Sequence, residues 1–119
     1  MADTGLFISW GQPVRDRERQ AGDQMRASLQ YWKRLRENGS IGSYDYAALS
    51  RQGGSLWGYA VLRGSAEQID ALRHSPEFGR YVVRLGLVAD DVAVIDATVD
   101  EELLELGMDL YDETIKAFD

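Results

Sequence analysis

The chain has 119 residues, 45% of them hydrophobic and 28% charged, with a formal net charge of -7. That length gives one domain with room for a core, and the absence of cysteine removes disulfides, thiolate catalysis and cysteine-ligated metals. A single histidine makes a protein-built zinc site a poor expectation, so no metal and no cofactor are expected. The negative charge opposes phosphate backbones and anionic membranes.

The N-terminus lacks a basic region followed by an apolar stretch. No run approaches the roughly 18 apolar residues of a membrane span. These features predict a cytoplasmic protein with neither nucleic acid nor membrane as partner.

Leu6 to Trp10 is a short β-prone run that Gly11-Gln12-Pro13 ends. From about Val14 to Glu37 the pattern is helical. Ala21, Met25, Leu29, Trp32 and Leu35 form one apolar stripe, Asn38-Gly39 supplies the stop, and Gly22 allows a later start. Ile41 to Leu49 and Leu56 to Arg63 predict two strands, with Arg51-Gln52-Gly53-Gly54 as a hairpin signal.

A two-residue loop would place Tyr44, Tyr46, Trp57, Tyr59 and Val61 on one face of this hairpin. Ala47, Leu49, Leu56, Ala60 and Leu62 would share the other. Both faces are apolar, so both are expected to be covered.

Ser65 and Gln68 form a capping box. Ile69 and Leu72 follow, and Ser75-Pro76-Glu77 restarts the helix with Phe78, Val82 and Leu85 inside and Gly86 as its stop. Asp90-Asp91 reads as a turn and Val92 to Ala97 as a strand. Asp100 caps a last helix, about Glu101 to Phe118, striped by Leu104, Met108, Tyr111, Ile115 and Phe118.

This order is β-α-β-β-α-β plus a terminal helix, the split βαβ pattern of ferredoxin-like α+β domains. Residues 1–119 are expected to form one such domain. Right-handed crossovers put the two main helical segments on one face of a four-stranded antiparallel sheet. The bare face would then carry Tyr44, Tyr46, Trp57 and Tyr59. A patch of that size marks an interaction surface, and a second copy of the chain is the simplest cover.

Gly53-Gly54-Ser55-Leu56-Trp57-Gly58-Tyr59, Leu62-Arg63-Gly64, Ile69-Asp70-Ala71-Leu72-Arg73 and Glu77-Phe78 resemble small bacterial proteins of unknown function in the dimeric α–β barrel superfamily. The resemblance covers roughly residues 6 to 111. Helix one followed by a glycine, the two central strands and Ser75-Pro76 more distantly resemble the YCII-related branch. The resemblance to that branch would imply a histidine–aspartate pair with the aspartate just before a proline. Ser75 stands there and helix one has no histidine, so the pair is not carried over. The superfamily also holds cofactor-free monooxygenases and haem-binding enzymes, and no motif specific to either is visible.

His74 is the one side chain whose ordinary pKa lies near neutrality. Its helical phase departs from the Ile69–Leu72 line, toward solvent or the rim, although the Ser75-Pro76 break allows a turn inward. Asp45, on the helix side in the register above, reads as a general base or as the partner of an arginine near the sheet edge. Trp10, Tyr46, Trp57, Tyr59 and Tyr81 are the ligand-binding candidates, with core and interface as the competing reading. Asp96, Asp100, Glu101 and Glu102 lack calcium-loop spacing and read as helix capping.

Leu6-Phe7-Ile8 and Gly58-Tyr59-Ala60 match fragments of RNA-recognition strands, but Trp57, Val61 and Gly64 break the motif. Two functional classes remain. One is a homodimeric small-molecule-binding protein or cofactor-independent enzyme with a pocket between sheet and helices. The other is a homodimer that binds or regulates without turnover. A pocket beside the helices containing His74 or Asp45 would favour the first, and a filled sheet face without such a cavity the second.

Overall fold

The computed structural model describes residues 3–50 and 54–118. Its elements run β1 (Thr4–Trp10), α1 (Glu18–Glu37), β2 (Ser43–Ala48), β3 (Gly58–Gly64), α2 (Ala66–Arg73), α3 (Pro76–Val88), β4 (Ala93–Thr98) and α4 (Glu101–Lys116). The sheet is antiparallel in the order β2-β3-β1-β4, with the first strand at its centre between β3 and β4. The fold is ferredoxin-like, with an added C-terminal helix.

Local chemistry accounts for the boundaries. Gly39 takes a φ of 79° just past the end of α1, the left-handed conformation that suits glycine there. The Ser65 hydroxyl accepts from the Gln68 amide while the Gln68 carboxamide oxygen accepts from the Ser65 amide. Ser75 caps α3, with Pro76 in its first turn. Gly86 does not stop α3, which runs on to Val88. An exposed glycine inside a helix costs about 1 kcal/mol, and the neighbouring Leu85 is 1% exposed, so packing outweighs that cost.

The core lies between the sheet and α1, α2 and α3. It is built on Leu6, Ile8, Ala60 and Leu62 from the strands, Trp32 and Leu35 from α1, Ile69 and Leu72 from α2, and Phe78, Tyr81 and Leu85 from α3. Of the α1 stripe, Ala21, Trp32 and Leu35 are buried and Met25 and Leu29 half-buried, and the same helix also buries Ser28 and Tyr31.

The β2–β3 register corrects the expected faces. Tyr44 pairs with Leu62 and Tyr46 with Ala60, so even positions oppose even ones. Tyr44 and Tyr46 therefore point toward the helices. Tyr59 and Val61 share the open face with Asp45 and Ala47. The physical reason is loop length. The Leu49 amide already donates to the Trp57 carbonyl at 2.8 Å, leaving residues 50–56 as the connection. An odd number of connecting residues reverses the parity that a two-residue turn would impose. Most of the hairpin signal, residues 51–53, lies outside the described residues.

Candidate functional site

Between the start of α1, the end of α3 and one end of the sheet lies a cleft of about 690 Å³. Its floor is Trp10 and Trp57, its sides include Met25, Leu49, Leu85 and Val88, and Gln12, Arg15 and Glu18 supply polar groups. Chain crossings hold it in place. The Gly11 amide donates to the Asp90 carbonyl at 2.7 Å, the Asp90 amide donates to Gln12 at 2.8 Å, and the Val14 amide donates to Val88 at 2.8 Å. The Arg17 guanidinium donates to the Leu87 carbonyl at 2.6 Å. The loop after β1 is thereby tied to the end of α3, so the wall is part of the scaffold.

Trp57 is fixed through its backbone, its amide donating to the Trp10 carbonyl at 2.9 Å. Trp10 is 5% exposed and packs at 5.6 Å on Tyr46. The Tyr46 hydroxyl donates to the Met25 carbonyl at 3.1 Å. Behind it lies a buried polar pair. Ser28 donates its one hydroxyl proton to the Gln24 carbonyl at 2.7 Å. At 2.9 Å from Ser28, the Tyr81 hydroxyl must then be the donor.

Burial pushes the Tyr46 hydroxyl up to about 12, with the nearby Ser28 hydroxyl pulling partly back. Tyr81 is raised further, chiefly by the same desolvation. Tyr31 is held at about 12 by burial and then by the charge of Glu77, against the opposing pull of Arg34. These phenols stay neutral near pH 7, available as hydrogen-bonding groups but not as bases.

The sequence candidates divide by place. Trp10 and Trp57 come together in the cleft, with Tyr46 packed on Trp10. Tyr81 lies deeper, 4.9 Å from Trp32 ring to ring. Tyr59 is on the opposite face of the sheet, stacked on Phe7 at 5.8 Å.

His74 is the exposed residue that caps the C-terminal end of α2, its Nδ1 2.9 Å from the Asp70 carbonyl. Asp45 is exposed on the open face, where it pairs with Arg63, so it does not face the helices. Its arginine partnership is the reading that fits. Neither lines the cleft. Asp96 pairs with Arg73 at 2.9 Å and Asp100 caps α4.

Sequence reasoning missed Gln12, Arg15 and Glu18 as cleft residues, because a strand end and the start of a helix carry no periodic signal for a site. It also missed Gly58, whose place in a strand is the recognised mark of a close approach.

Among the described residues no group of three His, Cys, Asp or Glu side chains is gathered to hold a metal ion, and no helix is long and apolar enough to cross a membrane.

The fold and cleft define an α+β protein of ferredoxin-like topology with an apolar pocket beside its helices. No family model matches the chain, and no curated protein does. Solved structures do. A dimeric ferredoxin-like protein of unknown function from Bacteroides fragilis superposes with a TM-score of 0.63 at 10% identity, covering 82% of this chain and 97% of that one. The hydroxynitrile lyase of Passiflora edulis gives 0.62 at 10% identity over 85% and 97%. SnoaB, a cofactor-independent oxygenase from Streptomyces nogalater, gives 0.56 at 7% identity over 85% and 96%. At these identities the likeness is one of fold, and a fold of this kind hosts many chemistries.

Proposed function

We propose that the chain is one protomer of a homodimeric small-molecule-binding protein, its ligand seated on Trp10 and Trp57. The carrying observation is the cleft. Its volume of about 690 Å³ falls in the range of roughly 300–1,000 Å³ typical of small-molecule sites, which are mostly apolar with a few placed polar groups. Two indoles favour a flat, largely apolar ligand. Gln12, Arg15 and Glu18 would engage a polar edge directed outward.

Self-association is supported by the open sheet face, where Phe7, Tyr59 and Val61 are only half-buried and Ile95 is exposed, and by the dimeric state of the Bacteroides fragilis neighbour. We read residues 1–119 as one domain around one core cluster. A distant resemblance to the YCII-related branch rests on helix one followed by a glycine, the two central strands and Ser75-Pro76.

A cofactor-independent enzyme is the neighbouring reading, and one observation favours it. Glu18 is the carboxylate among the lining residues, and a general base must reach the proton it removes. His74 and Asp45 lie elsewhere and are not proposed for that role.

The test is a fragment titration followed by the indole N–H signals of the three tryptophans. Trp10 and Trp57 should move together on adding bicyclic aromatic compounds while the core Trp32 stays still. A diverse fragment set that moves neither signal, or that perturbs only Phe7 and Tyr59, would reject the cleft as the site.

A further inference from the structure

α4 spans 16 residues and none of them is buried. Leu104, Met108, Tyr111, Ile115 and Phe118, spaced as one helical stripe, are 41–85% exposed. The polar side carries Glu101, Glu102, Glu105, Asp109, Asp112 and Glu113. Leu103 borders a groove that Ile69 and Arg73 also line, and Leu104, Met108 and Tyr111 border an open one beside Thr98, at the end of β4. The helix projects. The radius of gyration is 16.6 Å, against about 13.5 Å for a chain of this length packed to ordinary domain density.

A helix of this length is marginal in water on its own, since most helical stability in proteins comes from packing an apolar face. Gly107, in the middle of α4, weakens it further. The capped start at Asp100 and the continuous stripe therefore call for a surface that the protomer's own helices do not provide.

The path into α4 indicates which surface. Gly5 stands on the open face in register with Ala97, and the Val99 side chain covers it so closely that a Cβ on Gly5 would lie 2.6 Å from Val99 Cγ1. The Val99 side chain thus carries the open face past the end of β4 toward α4, on the side proposed above to meet a second copy.

Area points the same way. At standard strand spacing and rise, four strands of six or seven residues present a footprint of roughly 400 Å². A standard stable interface buries about 800 Å² per partner. One side of a 16-residue helix, about 24 Å long and 10 Å wide, adds roughly 240 Å², which closes most of the gap.

We propose that α4 is an exchanged arm, its Leu104–Met108–Tyr111–Ile115 stripe seated on the second copy of this chain and continuing the contact made by the open sheet faces. The inference rests on the homodimer reading. In the dimer each subunit grips the other, and α4 is ordered only while the dimer is intact.

The experiment uses the full chain, with one copy isotope-labelled and the other unlabelled, mixed and refolded together. An isotope-filtered NOE spectrum should show contacts from the Met108 and Ile115 methyl groups of the labelled copy to protons of the unlabelled one. Contacts from those methyls only to their own chain, or none at all in a sample that sediments as a dimer, would overturn the arm and leave the dimer standing. A protein that sediments as a monomer at every concentration would overturn both. As a second arm, M108E combined with I115E should raise the dimer dissociation constant at least tenfold while the fluorescence of buried Trp32 stays native. An unchanged dissociation constant would overturn the proposal.

Discussion

Trp10 lies across the β1–β3 ladder from Gly58, and its indole occupies the space where a side chain at position 58 would stand. A Cβ built on Gly58 would sit 2.4 Å from Trp10 Cζ2 and 2.7 Å from the Ala47 carbonyl oxygen. The floor of the cleft therefore depends on a glycine at the start of an inner strand.

Gly58→Ala should accordingly destabilise the protein by about 1–3 kcal/mol, the usual cost of overpacking. The Ala47 carbonyl belongs to a paired strand and cannot move cheaply, so Trp10 must shift. Urea unfolding reads the loss, and a change in indole fluorescence should accompany it. Unaltered stability and fluorescence would show that the indole does not lie over this glycine.

Trp32 is fully enclosed, with its ring 5.1 Å from Tyr31 and 4.9 Å from Tyr81. Trp32→Ala should cost roughly 3–5 kcal/mol, the range for large buried aromatics. A loss below about 1 kcal/mol would contradict the helix phase that buries it.

The Ser28–Tyr81 pair has a directional test. Ser28→Ala removes the acceptor and leaves the Tyr81 hydroxyl buried without it, at a cost of about 1–3 kcal/mol. Tyr81→Phe deletes the donor instead and should cost nearer 1 kcal/mol. The double variant should be more stable than the sum of the two losses predicts, because the second change removes the orphaned group. Strict additivity would mean that the two hydroxyls are not coupled.

The phenols predict an alkaline weakness. Tyr31 and Tyr46 have folded-state values near 12, raised by burial above the ordinary 10. Above pH 10 the unfolded chain releases these protons first, so stability is fully present below pH 10 and falls as pH rises toward 12. Urea midpoints should decline across that window. Tyr46→Phe should flatten the decline, and an equally steep fall in that variant would assign it to other groups.

Tyr59→Glu should weaken self-association by at least tenfold with the sheet and helices unchanged, because it places a charge beside Phe7 on the open face. Trp57→Glu should instead damage the cleft and spare the dimer. Sedimentation equilibrium on the two variants separates the faces, and the opposite ranking would return Trp57 to the interface.

The sequence by itself determined the elements. The apolar stripes of α1 and α4, the Ser65–Gln68 box, Ser75-Pro76 and Asp100 act within one or two turns of helix, so their spacing alone places them. The order of strands and helices then left few topologies, because crossover handedness is nearly fixed. What it did not determine was which aromatic faces where. The sides of Tyr46 and Tyr59 depend on whether the β2–β3 connection holds an even or an odd number of residues, and pairing of Leu49 with Trp57 decided that. A shift of one residue sends every ring to the other side.

The cleft was equally hidden. Gln12, Arg15, Glu18 and Val88 meet only because the loop after β1 is hydrogen-bonded to the end of α3, a contact between segments about 75 residues apart that no local pattern encodes. Trp10 and Trp57 were legible as candidates from residue type, but tertiary structure brought them to the same cleft and carried Tyr59 away from it. Local periodicity records which residues an element buries, whereas a site is made where separate elements converge, and that convergence is fixed by long-range packing.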